Sequence, residues 1–345
     1  MFADKAYRES WPLFNRGRVG WALFDWANQA FTTIVITWIF AQYFADGIVQ
    51  DGVKGQSLWG AGISASAFVV AILAPILGSI ADRGGRRRPW VIGFSATCIL
   101  LTCGLYFMLP NPEYAMIALV LVGIANVCYE MAIVFNNAML ADLVDRPRLA
   151  KLGGIAWSGG YIGGLIALVL CLVAVFNLSD PEGTQHPVRL TNVIVAMWFA
   201  AFLIPFIVWT PDKKPTGVSL NQAVVDGLSN LWNTLKELFS RDKNTFLFLL
   251  GRMSYTDGVN TIFVMGGMYA TVRYGLSTQE LILFGILLNV FAGSGGMVFA
   301  FFEQGFGSKR VIMTSIVGLI LAGSAMLLAP SFMIFAIFWL FLGFV

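Results

Sequence analysis

Residues 78–88 read GSIADRGGRRR, and this short stretch carries five charged side chains. The segments on either side of it, 57–81 and 89–109, are dominated by apolar residues. Each is about 20 residues or longer, which is the length needed to cross a hydrocarbon core about 30 Å thick. Since charge is costly inside that core, the stretch predicts a turn at the membrane surface between two transmembrane helices.

The composition extends this interpretation to the whole chain. Of its 345 residues, 58% are hydrophobic and only 12% are charged, whereas a soluble domain carries about a quarter charged residues. The sequence therefore predicts an all-α, polytopic membrane protein. Ten apolar segments are its predicted helices: 20–45, 57–81, 89–109, 114–142, 151–176, 190–210, 244–272, 278–302, 310–329 and 332–345.

The positions of the Lys and Arg residues predict the orientation. With the N-terminus placed in the cytoplasm, 18 of the 22 basic residues lie in cytoplasmic segments. Only Lys54, Arg189 and Arg273 fall on the other side, and Arg252 lies within a span. Because cytoplasmic loops are enriched in Lys and Arg, the pattern predicts an integral, multi-pass protein with a cytoplasmic N-terminus, in the plasma or inner membrane if the source is bacterial. These loops account for the net charge of +3, so we expect no nucleic-acid partner, and the lipid bilayer is the expected surrounding.

The order of the segments predicts four regions. Residues 1–19 form a cytoplasmic tail, 20–210 a six-helix bundle, 211–243 a cytoplasmic linker and 244–345 a second bundle. In the linker, apolar residues three or four apart predict an amphipathic helix near the membrane surface; they are Val224, Leu228, Leu231, Leu235 and Leu238. The last apolar segment would rise only about 21 Å, so we expect a tenth helix that is cut and a second bundle that is incomplete.

A motif recurs in the two predicted bundles. The first helix contains FDWAN, with Asp25 and Asn28, and the first helix after the linker contains TDGVN, with Asp257 and Asn260. A weaker echo of the 78–88 loop follows the eighth segment, where residues 302–310 read FEQGFGSKR. Two features that recur in the same order indicate a parallel duplication of the kind found in transporters.

These motifs carry two resemblances. Gly78, Asp82, Arg83, Gly85, Arg86 and Arg87 resemble the G-x-x-x-D-R-x-G-R-R signature of the major facilitator superfamily, in its position between the second and third helices. WALFDWANQAF at 21–31, NNAMLADL at 136–143, GYIGG at 160–164 and YTDGVNTI at 255–262 are similar to the autophagy-related vacuolar amino-acid effluxer family and its bacterial members. The resemblance implies two six-helix bundles, with about ten helices present here, and export of amino acids from a storage compartment. It also implies that the loop is a latch whose contacts differ between inward- and outward-open states; a purely topogenic basic loop is the alternative.

Polar residues inside the predicted helices are the candidates for binding a solute or protons. Transporters of this superfamily hold substrate near the bilayer midplane, between the two halves, and helical spacing aims each set of candidates at one interior face. The candidates are Asp25 and Asn28 on the first helix, Asn126, Glu130 and Asn137 on the fourth, and Arg252, Asp257 and Asn260 on the seventh.

Each candidate also has a plainer interpretation. Asp25 could be a gate residue or a charge at a helix end, and the asparagines could form only helix-to-helix hydrogen bonds. Arg252 is turned about 140° away from Asp257 around the helix, so its partner would lie across the bundle, at Glu130 or Asp25. A structural ion pair is therefore the alternative for Glu130 and for Arg252.

Missing motifs narrow the function. The sequence has no G-x-x-x-x-G-K-[ST] nucleotide-binding loop, and its single histidine, His186, lies in a polar loop. The four cysteines lie in apolar runs without metal-type spacing, so we expect no disulfide, metal or cofactor and no enzyme. We expect a monomeric secondary active transporter that works by alternating access and exports a small polar solute such as neutral amino acids. Coupling to protons would use its carboxyl groups in apolar surroundings, which favour the neutral form. A non-transporting scaffold or sensor, and a transporter of sugars, peptides or drugs, are the alternatives.

Overall fold

The computed structural model describes residues 15–214, 216–218, 220–276 and 278–344. All regular secondary structure in these ranges is helical, which confirms the predicted all-α class. The longer helices are α1 (Arg16–Ala30), α2 (Gly52–Gly84), α3 (Arg88–Gly104), α4 (Ala115–Leu143), α5 (Arg146–Asn177), α6 (His186–Trp209), α7 (Leu220–Ser240), α8 (Lys243–Tyr274), α9 (Thr278–Phe306), α10 (Ser308–Leu327) and α11 (Phe332–Phe344). Most of the predicted tail at 1–19 lies outside the described residues, and the bounds of the four predicted regions stay predictions.

Length and hydropathy make this a multi-pass membrane protein. Within the described ranges, seven helical stretches are long and apolar enough to cross a bilayer, and two shorter apolar stretches accompany them. The seven are Arg16–Ile48, Gly52–Gly84, Arg88–Phe107, Pro112–Leu143, Arg148–Asn177, His186–Trp209 and Lys309–Leu327; the two shorter ones are Phe284–Phe299 and Phe332–Phe344.

The first span is not a regular α-helix along its whole length. π-Helical turns at Phe31–Trp38 and Tyr43–Ile48 extend α1, with one α-helical turn at Phe40–Gln42 between them. In the first π-helical turn, Thr37 Oγ1 donates a hydrogen bond to the Thr32 carbonyl at 2.9 Å. Wide turns of this type are frequent at functional sites, and hydropathy, which predicts a single helix here, does not reveal them.

A glycine ends α2 inside the charged stretch at residues 78–88. Gly85 has φ 79°, and its amide donates to the Ala81 carbonyl at 3.0 Å, which closes the last turn of α2. A Cβ at this position would also lie 2.7 Å from the Lys214 carbonyl oxygen. Only glycine meets both conditions without strain, and the chain then turns into α3 at Arg88.

The helices form two hydrophobic cores. In the first core, α1 packs on α5 and α6, and α3 packs on α4 and α6; its buried aromatic side chains include Trp21, Phe24, Phe135, Phe199 and Phe206. The second core is built mainly by α9, α10 and α11, with Phe284, Phe335 and Trp339 at its centre. The linker helix α7 packs against α2.

One helix, α5, connects the two cores through close contacts in which one of the two partners is a glycine. On its α1 side, a Cβ at Gly163 would lie 2.7 Å from the Trp26 carbonyl oxygen. On its other side, α9 supplies the glycine: a Cβ at Gly296 would lie 2.7 Å from the Trp157 ring. Small residues let helix backbones approach closely in a membrane, so α5 is held tightly between α1 and α9.

Candidate functional site

The first candidate, Asp25, lies where α1 meets α5. A Cβ at Gly160 would lie 3.1 Å from the Asp25 carbonyl oxygen, so the backbone of α5 is in close contact with that of α1 at this level. The Asp25 side chain is half-buried. Close backbone packing of α1 on α5 therefore fixes the position of Asp25 along the helix.

A tyrosine that the sequence analysis did not select connects α1 with α4. The buried Tyr129 forms a side-chain hydrogen bond with Thr32, and both Asp25 and Glu130 lie near enough to act on it electrostatically. The Tyr129 ring also packs on Phe31, with ring centroids 5.2 Å apart. We name Asp25, Thr32, Tyr129 and Glu130 the acidic group. Asp25 lies on α1 itself, and Thr32 lies in the first π-helical turn, which follows α1.

The candidate Asn126 connects α4 with α2. Its Nδ2 donates to Ser66 Oγ at 2.8 Å, and that hydroxyl donates in turn to the Ile63 carbonyl at 2.7 Å. Both side chains are buried. This helix-to-helix bond is the plainer role considered for Asn126, and it fixes α4 against α2 about one turn from Glu130.

The remaining asparagines of the first core differ in burial. Asn28 is buried, and its Nδ2 has no hydrogen-bond partner within the described ranges. Asn137 is exposed, whereas its neighbour Asn136 is fully buried and accepts a hydrogen bond from Trp21 Nε1 on its backbone carbonyl at 2.8 Å. Neither side-chain polar atom of Asn136 has a partner in the described part of the chain. The sequence shows two adjacent asparagines and does not reveal that Asn136 is buried and Asn137 is exposed.

The candidates of the second half lie on α8. The side chains of Arg252 and Asp257 are exposed, and Thr256 Oγ1 donates to the Arg252 carbonyl at 2.8 Å. α8 packs mainly against α7 and α11. Asn260 belongs to α8, but its side chain is outside what the structure describes. A place for these residues beside the acidic group stays a prediction.

The loop between α2 and α3 is organised by Arg87. Its Nη1 donates to Asp142 Oδ2 and to the Ala138 carbonyl, both at 2.7 Å, and its Nη2 bonds Asp82 Oδ1 at 2.5 Å. Its backbone amide donates to Asp212 Oδ1 at 3.1 Å. One arginine thus joins the end of α2, the end of α4 and the segment after α6.

The segment after α6 adds further bonds to the same loop. Lys213 Nζ lies 2.8 Å from Asp142 Oδ1, and Thr216 Oγ1 donates to the Arg83 carbonyl at 2.6 Å. Arg86 makes a longer contact of 3.7 Å with Asp212, and its side chain is mostly exposed. A Cβ added at Gly78 would meet nothing within 4 Å. We name Asp82, Arg87, Asp142, Asp212 and Lys213 the loop cluster.

Three members of the loop cluster were not selected from the sequence. Asp142 lies in the NNAMLADL run, and Asp212 and Lys213 lie at the start of the predicted linker. From the sequence, the Lys and Arg residues of these loops account for the orientation in the membrane. In the structure, Arg87 and Lys213 also pair with Asp142, which is distant from both in the sequence. The change of these contacts between transport states stays a prediction.

The sequence of this chain is similar to those of known membrane proteins. A family model described as "Vacuole effluxer Atg22 like" matches residues 52–153 and 145–344. The "Uncharacterized MFS-type transporter YxiO" of Bacillus subtilis is 27% identical over 316 residues, which cover 88% of this chain and 71% of the relative. "Autophagy-related protein 22" of Pichia angusta is 22% identical over 281 residues, which cover 68% of this chain and 50% of the relative. The chain therefore spans only part of the length of these relatives.

Solved structures show the same fold at low identity. The major facilitator superfamily proton:xylose symporter XylE, bound to 6-bromo-6-deoxy-D-glucose, superposes with a TM-score of 0.67 and 14% identity over 95% of this chain and 77% of that one. The inward-open conformation of XylE from E. coli gives a TM-score of 0.57 at 15% identity, over the same shares of the two chains.

Proposed function

This chain belongs to the Atg22-like vacuole effluxer family, among the transporters of the major facilitator superfamily, and from that premise we propose that it is a secondary active transporter that exports a small polar solute by alternating access. Members of this superfamily are transporters and not enzymes. In this architecture, two helical bundles rock about a central solute site near the bilayer midplane, which opens the site to each side of the membrane in turn.

The observation that supports the proposal best is the acidic group. Asp25 and Glu130 lie near one buried tyrosine, which bonds Thr32 across α1 and α4. Ionisable side chains are rare within membrane spans and mark solute or ion pathways where they occur. Two acids from separate helices, near a π-helical turn, are more than packing of the first core requires.

For the solute we propose a neutral amino acid. Asp25 and Glu130 offer carboxylates that suit an ammonium group, and Arg252 offers a cation that suits a carboxylate. This assignment requires α8 to face α1 and α4 in at least one transport state. The effluxer family description supports the outward direction.

For the coupling ion we propose the proton. Ionisable side chains within membrane spans mark ion pathways, and Asp25, Glu130 and Asp257 are the carriers that we propose. We further propose a monomer with a cytoplasmic N-terminus, which places the loop cluster in the cytoplasm and makes it the latch between transport states.

Efflux from proteoliposomes tests the proposal. Vesicles containing the purified protein are loaded with a mixture of labelled amino acids, and release is followed with and without a pH gradient. The variants are Asp25→Asn, Glu130→Gln and Asp257→Asn, with Glu113→Gln as the matched control because Glu113 lies at an exposed turn before α4.

Each outcome bears on a separate part of the proposal. Release that responds to the gradient, survives in the control and is lost in the site variants supports the amino-acid solute, proton coupling and the role of the three acids. Release without a response to the gradient overturns proton coupling alone. No release above empty vesicles, from protein that elutes as a single folded species, overturns the amino-acid assignment. Labelled sugars and peptides then distinguish another solute from a scaffold that transports nothing.

A further inference from the structure

The linker helix α7 carries an apolar stripe that its packing on α2 leaves uncovered. Five apolar side chains on this helix are 39–67% exposed: Val225, Leu228, Trp232, Leu235 and Phe239. At about 100° per residue they lie within an arc about 80° wide. We name these five residues the α7 stripe. Polar side chains such as Asn233 and Glu237 lie on the opposite side of the helix.

The N-terminal half of α7 is fixed to the end of a membrane span. Ser79 Oγ donates to the Gly227 carbonyl at 2.5 Å, and a Cβ at Gly227 would lie 3.1 Å from the Ser79 carbonyl carbon. The two backbones are therefore in direct contact. Ser79 lies less than two turns from the end of α2 at Gly84, so this contact is at the level of the membrane boundary.

The other end of α7 is fixed to the beginning of the next helix. The Phe239 ring lies 4.9 Å from the Phe246 ring, one turn into α8. Exposed apolar residues follow directly on α8, at Leu247, Phe248, Leu249 and Leu250. The two attachment points on α7 are about 18 Å apart along its axis. The first point lies near the end of the membrane span α2, and the second lies beside the exposed apolar residues at the start of α8, so we expect the axis of α7 to run along the membrane surface.

Basic side chains border the stripe. Lys236 Nζ lies 5.6 Å above the Trp232 ring. Exposed Lys and Arg residues also lie in the segments before and after α7, at Lys213, Lys214, Arg241 and Lys243, and in the α2–α3 loop, at Arg83 and Arg86; of these, Lys213 also pairs with Asp142. Such residues attract the anionic headgroups of a membrane, and Trp, Phe and Leu prefer the boundary between headgroups and acyl chains.

We propose that the α7 stripe is a lipid-binding surface, which inserts into the headgroup–acyl boundary while the neighbouring Lys and Arg residues contact anionic headgroups. The lipid bilayer is the occupant because α7 is attached to the end of the membrane span α2 and its stripe leads, at Phe239, to the exposed apolar residues 247–250 of α8. A second protein that bound the stripe would have to displace the lipids at the headgroup–acyl boundary. The proposal does not depend on the solute or on transport.

Spin labels at two matched pairs of positions test this surface. Trp232→Cys and Phe239→Cys place labels on the stripe, and Asn233→Cys and Glu237→Cys place them on the polar face of the same helix. The background has Cys98, Cys103, Cys128 and Cys171 replaced by alanine; these are free thiols, three of them buried. Vesicles contain phosphatidylcholine with or without phosphatidylglycerol, and collision with oxygen and with a water-soluble nickel complex is measured.

The proposal expects labels at 232 and 239 to collide readily with oxygen and several-fold less with nickel than labels at 233 and 237 do. It also expects nickel collisions at the stripe to rise when phosphatidylglycerol is omitted. Equal nickel access at all four positions would overturn insertion, and no access to either reagent would show that protein covers the stripe. No change with lipid charge would overturn the role of the basic residues.

A second measurement avoids the replacement of four cysteines. The fluorescence of Trp232 is obtained as the difference between the protein and its Trp232→Phe variant, in vesicles that contain brominated lipid. Quenching of this difference by bromine near the headgroup is the expected result. Quenching by aqueous iodide instead, with no effect of brominated lipid, would overturn the proposal.

Discussion

The close contact between α1 and α5 gives the sharpest prediction of stability, through the substitution Gly163→Ala. A Cβ at Gly163 would lie 2.7 Å from the Trp26 carbonyl oxygen and 2.8 Å from the Trp26 ring. An ordinary contact begins near 3.4 Å, so α1 would have to move by about 0.7 Å. The oxygen belongs to the backbone and cannot move aside as a side chain can.

Two opposing terms set the size of the effect. Alanine favours a helix over glycine by about 1 kcal/mol, whereas overpacking a tight contact costs about 1–3 kcal/mol. At Gly159, one turn earlier on α5, a Cβ would meet nothing within 4 Å, so only the favourable term applies to Gly159→Ala. We therefore expect Gly163→Ala to have a free energy of unfolding about 1–3 kcal/mol lower than Gly159→Ala.

Denaturant titration in mixed micelles, followed by circular dichroism, measures this difference directly. Both variants exchange the same residue types on the same helix, so intrinsic propensity cancels in the comparison. Equal free energies of unfolding for the two variants would refute the argument that backbone contact between α1 and α5 fixes the position of Asp25.

Three further predictions concern the loop cluster, the joint between the cores and the turn before α8. Arg87→Ala should lower the free energy of unfolding by about 2–4 kcal/mol, because a side chain that is only 14% exposed loses charge-assisted hydrogen bonds to Asp142 and to the Ala138 carbonyl. Arg86→Ala should change the free energy of unfolding by less than about 0.5 kcal/mol, because it loses one contact of 3.7 Å at a side chain that is 58% exposed. Similar losses for the two variants in the same titration would contradict this prediction. Gly296→Ala places a Cβ 2.7 Å from the Trp157 ring and 2.9 Å from Ser158 Oγ, so it should lower the melting temperature. Gly305→Ala on the same helix, where a Cβ meets nothing within 4 Å, should not lower it. Equal melting temperatures for the two variants would count against tight packing between α5 and α9. Hydrogen bonds from the hydroxyl and amide of Thr245 hold the pKa of Asp242 below its ordinary value, so Thr245→Ala should raise it, as followed by carbon NMR of labelled aspartate. A lowered pKa stabilises the fold above the unfolded pKa, and the effect disappears as the pH falls through the folded pKa. The parent should therefore be more stable than the variant above about pH 4, and the difference should disappear at lower pH. An unchanged titration would show that the Thr245 hydroxyl does not act on Asp242.

Hydropathy was sufficient to predict the helices of the first bundle. The segment predicted at 57–81 lies inside Gly52–Gly84, and the segment at 190–210 overlaps His186–Trp209. Apolar length reports directly on what can cross a bilayer. The π-helical turns that follow α1 escaped prediction because they change which carbonyl each amide meets, and the composition is the same either way.

The site was predictable only in part, and for a definite reason. Charged residues such as Asp25 and Glu130 are conspicuous in an apolar helix, so the sequence identifies them. Tyr129 and Ser66 have neighbours on other helices, and in the sequence they resemble ordinary core residues. Arg87 and Asp212 are 125 residues apart, and they meet because α2 ends, α3 begins and α6 ends close together in space.

Counterflow is the measurement that tests the central claim most directly, since it needs no ion gradient and so separates transport from coupling. Proteoliposomes preloaded with an unlabelled amino-acid mixture are diluted into a trace of the same mixture in labelled form. The account predicts a transient accumulation of label inside the vesicles that is retained in Glu113→Gln and lost in Asp25→Asn and Glu130→Gln. Folded protein whose vesicles accumulate no more label than empty ones would contradict it, and so would full accumulation in both acidic-group variants.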